Sequence, residues 1–169
     1  MNFTDYHDYF QNLAAQHVQI GNGSADGVFV NLNLFDMPTE KPSALRFPKD
    51  RFALVLVDPE FTAAGPHADQ QLLNAEGEFW LVSVTGKEDP DRIKSVKAQA
   101  LEICRDILSK MISDSLAAQP AFMQGLVDKS WVLSKIGPLW DACYGYRVVF
   151  EIKDFAGLSF NEEKWTTEP

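Results

Sequence analysis

The sequence predicts an α+β domain, and three observations carry that prediction. Asp89 to Pro120 has the period of one long amphipathic helix. Tyr144 to Lys153 alternates as a half-buried strand, and Phe52 to Val57 is apolar on both faces, as a central strand is. Together they predict a largely antiparallel sheet of about five strands with the long helix on one face, in the order α-β-β-β-α-β-β. At 169 residues, 1–169 reads as a single domain long enough to bury a core.

Thr4 to His17 opens the chain as a short helix. Thr4 or Asp5 caps it, and Tyr6, Tyr9, Phe10, Leu13 and Ala14 form an aromatic-rich face. Gly21 to Gly27 is a turn-rich loop. Its glycines superficially suggest a dinucleotide loop, but a strand follows where phosphate binding needs a helix N-terminus. In Val28 to Phe35, residues Val28, Val30, Leu32 and Leu34 share one face; Phe29, Asn31, Asn33 and Phe35 share the other. Met37 to Asp50 holds Pro38, Pro42 and Pro48 and reads as a loop or an irregular edge.

After the strand at Phe52–Val57, Asp58 to Gly77 reads as a polar connection of about 20 residues, with one helical turn at Gln70 to Asn74. Glu78 to Thr85 is the next strand, an antiparallel hairpin partner of the one before. The long helix then starts on an N-cap, Asp89, with Pro90 at its first position and Asp91 at the positive end of the dipole. Ile93, Val96, Ala100, Ile103, Cys104, Ile107, Met111 and Leu116 make its apolar stripe, and Pro120 stops it. About 30 helical residues span roughly 45 Å, so a break near Ser113–Ser115 is expected of so long a run. The stripe covers the sheet, and the helix has length to spare for a neighbouring subunit. Ala121 to Val127 adds a short turn. Ser130 to Ile136 is a strand ended by Gly137-Pro138. In the last strand Tyr144, Tyr146, Val148, Phe150 and Ile152 face one way; Gly145, Arg147, Val149, Glu151 and Lys153 face the other. Phe155 to Pro169 is a mostly polar tail with Phe160 and Trp165 as anchors.

Charge narrows the function. The chain has 24 acidic and 15 basic residues, a net charge of −9. Residues 1–78 hold 11 acids and 4 bases, and residues 79–169 hold 13 and 11. Such a surface repels phosphate, which argues against nucleic acid and acidic membranes as partners. Neither a signal peptide nor an apolar run of about 20 residues is present, so a cytosolic protein is expected.

No motif for catalysis, cofactor or metal stands out. His7, His17 and His67 lack zinc-binding spacing, and no nucleophile elbow or P-loop occurs. His67 and Asp69 lie in the 58–77 connection, where a solvated loop histidine is the plain reading and contact with a metal, a substrate or a partner the sharper one. Asp36, Asp58 and Glu60 sit just past strand ends and cap turns or cluster. Cys104 lies on the apolar helix stripe and reads as a small hydrophobe.

The segment Gly137-Pro138-Leu139-Trp140-Asp141-Ala142-Cys143-Tyr144-Gly145-Tyr146-Arg147-Val148-Val149-Phe150 resembles a C-terminal signature of small prophage-encoded proteins of the tail-assembly group. The element order over residues 50–153 is similar to that of phage tail terminator proteins. The resemblance implies a non-enzymatic homo-oligomer that closes into rings with other tail or connector proteins, in the cytoplasm of a bacterial host or incorporated in a virion. It transfers no catalytic residue and no cofactor. On this reading Tyr144, Tyr146, Arg147, His67 and Asp69 contribute to interfaces, and Arg147 makes an intersubunit or loop salt bridge. Two other classes fit the same residues: a small-molecule or peptide binding module with its site between the 58–77 loop and the sheet, and a hydrolase-like enzyme using a carboxylate site.

Overall fold

The computed structural model describes residues 3–20, 29–32, 51–64, 72–85, 89–128, 130–140 and 142–154. Expectations for 21–28, 33–50, 65–71 and 155–169, with Asp36, His67 and Asp69 among them, lie outside the described residues.

Five strands form one sheet, β1 (Phe29–Leu32), β2 (Ala53–Ala64), β3 (Leu72–Val84), β4 (Val132–Leu139) and β5 (Cys143–Asp154), in the spatial order β1-β2-β3-β5-β4. Helices α1 (Phe3–Gln16) and α2 (Pro90–Ala117) cover one face, α1 over β1 and β2, and α2 over β5 and β3. The fold is α+β, as the alternation and the helix predict.

The sheet is mixed rather than purely antiparallel. β1 runs parallel to β2, and the other three pairings are antiparallel. Consecutive strands are not always neighbours either: β5 inserts between β3 and β4. The α2 crossover makes this possible, because a helix of 28 residues carries the chain past one strand position before β4 begins.

A second correction concerns 58–77. Residues up to Ala64 and from Leu72 onward are strand, paired from Glu60↔Glu76 to Ala64↔Leu72 beyond a register shift between Val57 and Glu60. The expected helical turn at 70–74 is therefore strand from 72. Polar side chains made this stretch read as a loop, but backbone hydrogen bonding holds a ladder whatever the side chains are. Glu60, Phe61 and Thr62 are exposed there.

The core lies between helices and sheet. Tyr6, Phe10, Leu54, Leu56, Phe79, Leu81, Ile103, Ile107, Met111 and Phe150 are fully buried in it. Phe10 packs on Phe79 and Phe150 with ring centroids 5.7 and 5.6 Å away, and Tyr6 lies 5.1 Å from Phe10. Burying such a ring fully contributes about 2–3 kcal/mol. The opposite face carries a second buried cluster, Val30, Ala53, Val55, Val57, Trp80, Val82 and Cys143. That two-sided burial is what the unbroken apolar run of β2 encodes.

α2 begins as predicted. Asp89 Oδ1 accepts from the Arg92 backbone N–H at 2.9 Å, and Pro90 is the first helical residue. The helix runs unbroken past 113–115 and ends where Ala118 turns left-handed (φ 55°), donating to the Asp114 and Ser115 carbonyls. Leu116, expected on the stripe, is 85% exposed. Asp114 takes the inward position instead, accepting from Tyr9 Oη at 3.0 Å and pairing with Lys110. A buried carboxylate with two donors is satisfied, and it ties α1 to α2.

Candidate functional site

The back face of the sheet, away from the helices, positions the one ion pair that spans strands among the described residues. Arg147 on β5 lies directly opposite Trp80 on β3, with Glu78 one step along the same face. Arg147 Nε donates to Glu78 Oε1 and Nη2 to Oε2, each at 2.5 Å, and the Trp80 indole N–H also donates to Oε1. The Glu78 side chain is 8% exposed and that of Arg147 45%. The bidentate contact raises the guanidinium pKa further above its ordinary value. Arg147 therefore finds its partner within the chain, where an intersubunit or loop bridge was expected. Both carboxylate oxygens are engaged, and the cluster ties β3 to β5.

Tyr144 and Tyr146 lie on the other face, partly buried against the main core, and Lys97 Nζ sits 5.1 Å above the Tyr144 ring. The expected grouping of Tyr144 and Tyr146 with Arg147 is thus split by the sheet itself, since neighbouring residues on a strand point to opposite faces.

The edge strand β4 is the more informative surface. It pairs only with β5 among the described residues. The Val127 backbone N–H donates to the Glu151 carbonyl, and the Glu151 N–H donates to Ser130 Oγ, so both polar groups of Glu151 point toward the β4 side. Antiparallel strands alternate, so Val149, Arg147 and Gly145 also point to β4, paired with Val132, Ser134 and Ile136. The backbone groups of Leu133 and Lys135 consequently point outward. Val132 on this strand is 58% exposed. A register shift between Ile136 and Leu139, at Gly137 (φ 110°) and Pro138, ends the regular edge.

Beside this edge runs an open groove of about 630 Å³ between α2 and β4, lined by Leu101, Arg105, Leu108, Ser109, Ile112, Trp131 and Leu133. The Trp131 indole nitrogen is buried in this region, with no hydrogen-bond acceptor among the described residues. The groove exists because α2 sits over β5 and β3, so the sheet extends one strand past its helical cover.

Other concavities are less built. One of about 200 Å³ joins Leu13, His17, Asp106 and Lys110; His17 Nε2 stands 3.5 Å from Asp106, and its Nδ1 accepts from the Gln19 N–H at 3.3 Å. Another, of about 550 Å³, adjoins the start of α2, where Ser83 and Ser95 already hydrogen-bond Arg51 O and Gln99. No group of three His, Cys, Asp or Glu side chains able to hold a metal occurs among the described residues. Asp58 is half-buried and Glu60 exposed on β2. Cys104 is buried, its thiol pushed up to about 12 by burial, and no disulfide joins it to Cys143. Among the described residues no helix is long and apolar enough to cross a membrane.

The sequence reading missed the β4 edge and its groove. The period-2 pattern of 130–136 marks a strand, but nothing in it says that the strand is last in the sheet. No family model, no curated protein and no solved structure matches this chain.

Proposed function

We propose that this protein is a non-enzymatic structural subunit that assembles into a homo-oligomer, of the kind found among the phage tail proteins that residues 137–150 resemble. The observation that supports it is the β4 edge: outward backbone groups at Leu133 and Lys135, an exposed Val132, and an apolar groove alongside. An edge strand with no further strand beside it among the described residues is a template for another strand. Lys135 and the Gly137–Pro138 irregularity limit where such pairing forms without abolishing it. The back-face ion pair suits a rigid part, since its charges are spent on each other.

Solution mass by light scattering over a wide concentration range tests this reading. A defined oligomer, or a monomer converting to one as concentration rises, is expected. A strict monomer at every concentration, alone and with purified tail components, overturns it.

A further inference from the structure

Resting on the assembly reading above, we infer that the occupant of the β4 edge is a second copy of this chain, paired antiparallel about a two-fold axis through Ser134. The alternation derived above makes the edge self-complementary. With the axis at Ser134, Leu133 of each copy faces Lys135 of the other, and these are the residues whose N–H and C=O groups point outward. Two reciprocal pairs then close four backbone hydrogen bonds. On the back face, Val132 of each copy meets Ile136 of the other, covering the 58% exposed valine. On the helix face, Leu133 lies against the aliphatic stem of Lys135, so the two ammonium groups are not directly opposed.

The groove follows from the same operation. α2 lies over β5, one strand in from the edge. With strands about 4.8 Å apart and α2 over β5 and β3, the two α2 helices run antiparallel at least about 14 Å apart, three strand spacings or more. That exceeds the 8–10 Å of direct helix packing, so the two grooves, with Leu101, Ile112 and Trp131 in their walls, face each other across the contact. Glu102 and Arg105 are both exposed and lie one turn apart on α2. Arg105 lines the groove and so borders the contact in each copy. A two-fold contact of this kind is isologous, using one patch twice.

Two variants and the wild type test the geometry. Ser134→Cys puts a thiol on the axis in a non-hydrogen-bonded pair, where Cα atoms stand about 4.5 Å apart, within the range a disulfide spans. Mild oxidation is expected to convert most of it to covalent dimer, while Leu133→Cys, whose mate is Lys135, does not cross-link to itself. Lys135→Pro removes an outward N–H without touching the β4–β5 ladder and is expected to weaken association by about ten-fold or more. Far-UV circular dichroism confirms folding, and Leu133→Lys replaces the proline variant if that one is unfolded. An oligomer whose mass is unchanged by Lys135→Pro and whose Ser134→Cys form stays uncross-linked overturns the two-fold pairing and leaves the assembly reading standing. A wild type that is monomeric throughout overturns both.

Discussion

Arg147 and Glu78 meet in a bidentate pair across β5 and β3, 69 residues apart in the chain, with the carboxylate buried and the guanidinium half-exposed. The Trp80 indole completes the carboxylate's hydrogen bonding. Removing Arg147 leaves a buried charge with one neutral donor. Breaking a fully buried pair costs about 3–5 kcal/mol. Discounted for the exposure of the Arg147 end, Arg147→Ala is expected to lower stability by about 2 kcal/mol. Urea unfolding measures it, and the Glu78→Ala/Arg147→Ala double variant is expected to cost less than the sum of the singles. Additive losses would show that the two residues do not interact.

Gly77 and Gly145 are expected to differ in how they tolerate alanine. At Gly77 the added methyl meets Phe150 Cε2 at 2.5 Å and Tyr6 Oη at 2.8 Å, both side-chain rather than backbone atoms. Gly77→Ala is therefore expected to cost about 1–3 kcal/mol and to be partly rescued by Phe150→Leu. At Gly145 the methyl falls on the Leu81 carbonyl oxygen, which belongs to the ladder. No side-chain change rescues Gly145→Ala, and thermal unfolding of the two series shows the difference.

Alkaline pH is expected to destabilise the fold through Tyr6 and Tyr9. Burial raises both hydroxyls above their ordinary value near 10, and Tyr9 is raised further by its bond to Asp114. The folded state thus prefers the protonated form. Stability is intact below the unfolded value near 10 and falls as pH rises past it. Denaturation midpoints between pH 8 and 11.5 follow this loss, and the Tyr6→Phe/Tyr9→Phe variant is expected to flatten it. An unchanged slope in that variant places the cause elsewhere.

Cys104 is expected to resist thiol reagents in the native protein. Its thiol is fully buried and pushed up to about 12, so little thiolate forms at pH 8. Labelling of Cys104, followed by peptide mass spectrometry, is expected to track global unfolding in urea. Rapid labelling without denaturant would show that α2 opens locally.

Much of the architecture was legible because it is written in local periodicity. The aromatic stripe of α1, the Asp89 cap of α2 and the alternation of β5 each involve residues within a few positions of one another. The candidate surface was legible only in fragments. Tyr144, Tyr146 and Arg147 adjoin in sequence, yet the strand sends Arg147 to the opposite face. Leu116 fits the α2 stripe by spacing, yet it lies in the last turn, and Asp114 turns inward to meet Tyr9 and Lys110. The arms at 58–64 and 72–77 surround Pro59, Gly65 and Pro66, turn signals that hide a backbone ladder.

By itself the sequence determined the class of fold, the number and kind of elements, and the two faces of the last strand, because side-chain period and capping act within a turn or two of chain. Only the tertiary structure decided that β1 runs parallel to β2, that β5 enters between β3 and β4, and that Glu78 is the partner of Arg147. Those are choices among distant partners. They are made by the burial of both sheet faces at once, and the same choices leave β4 at the edge with its backbone turned outward.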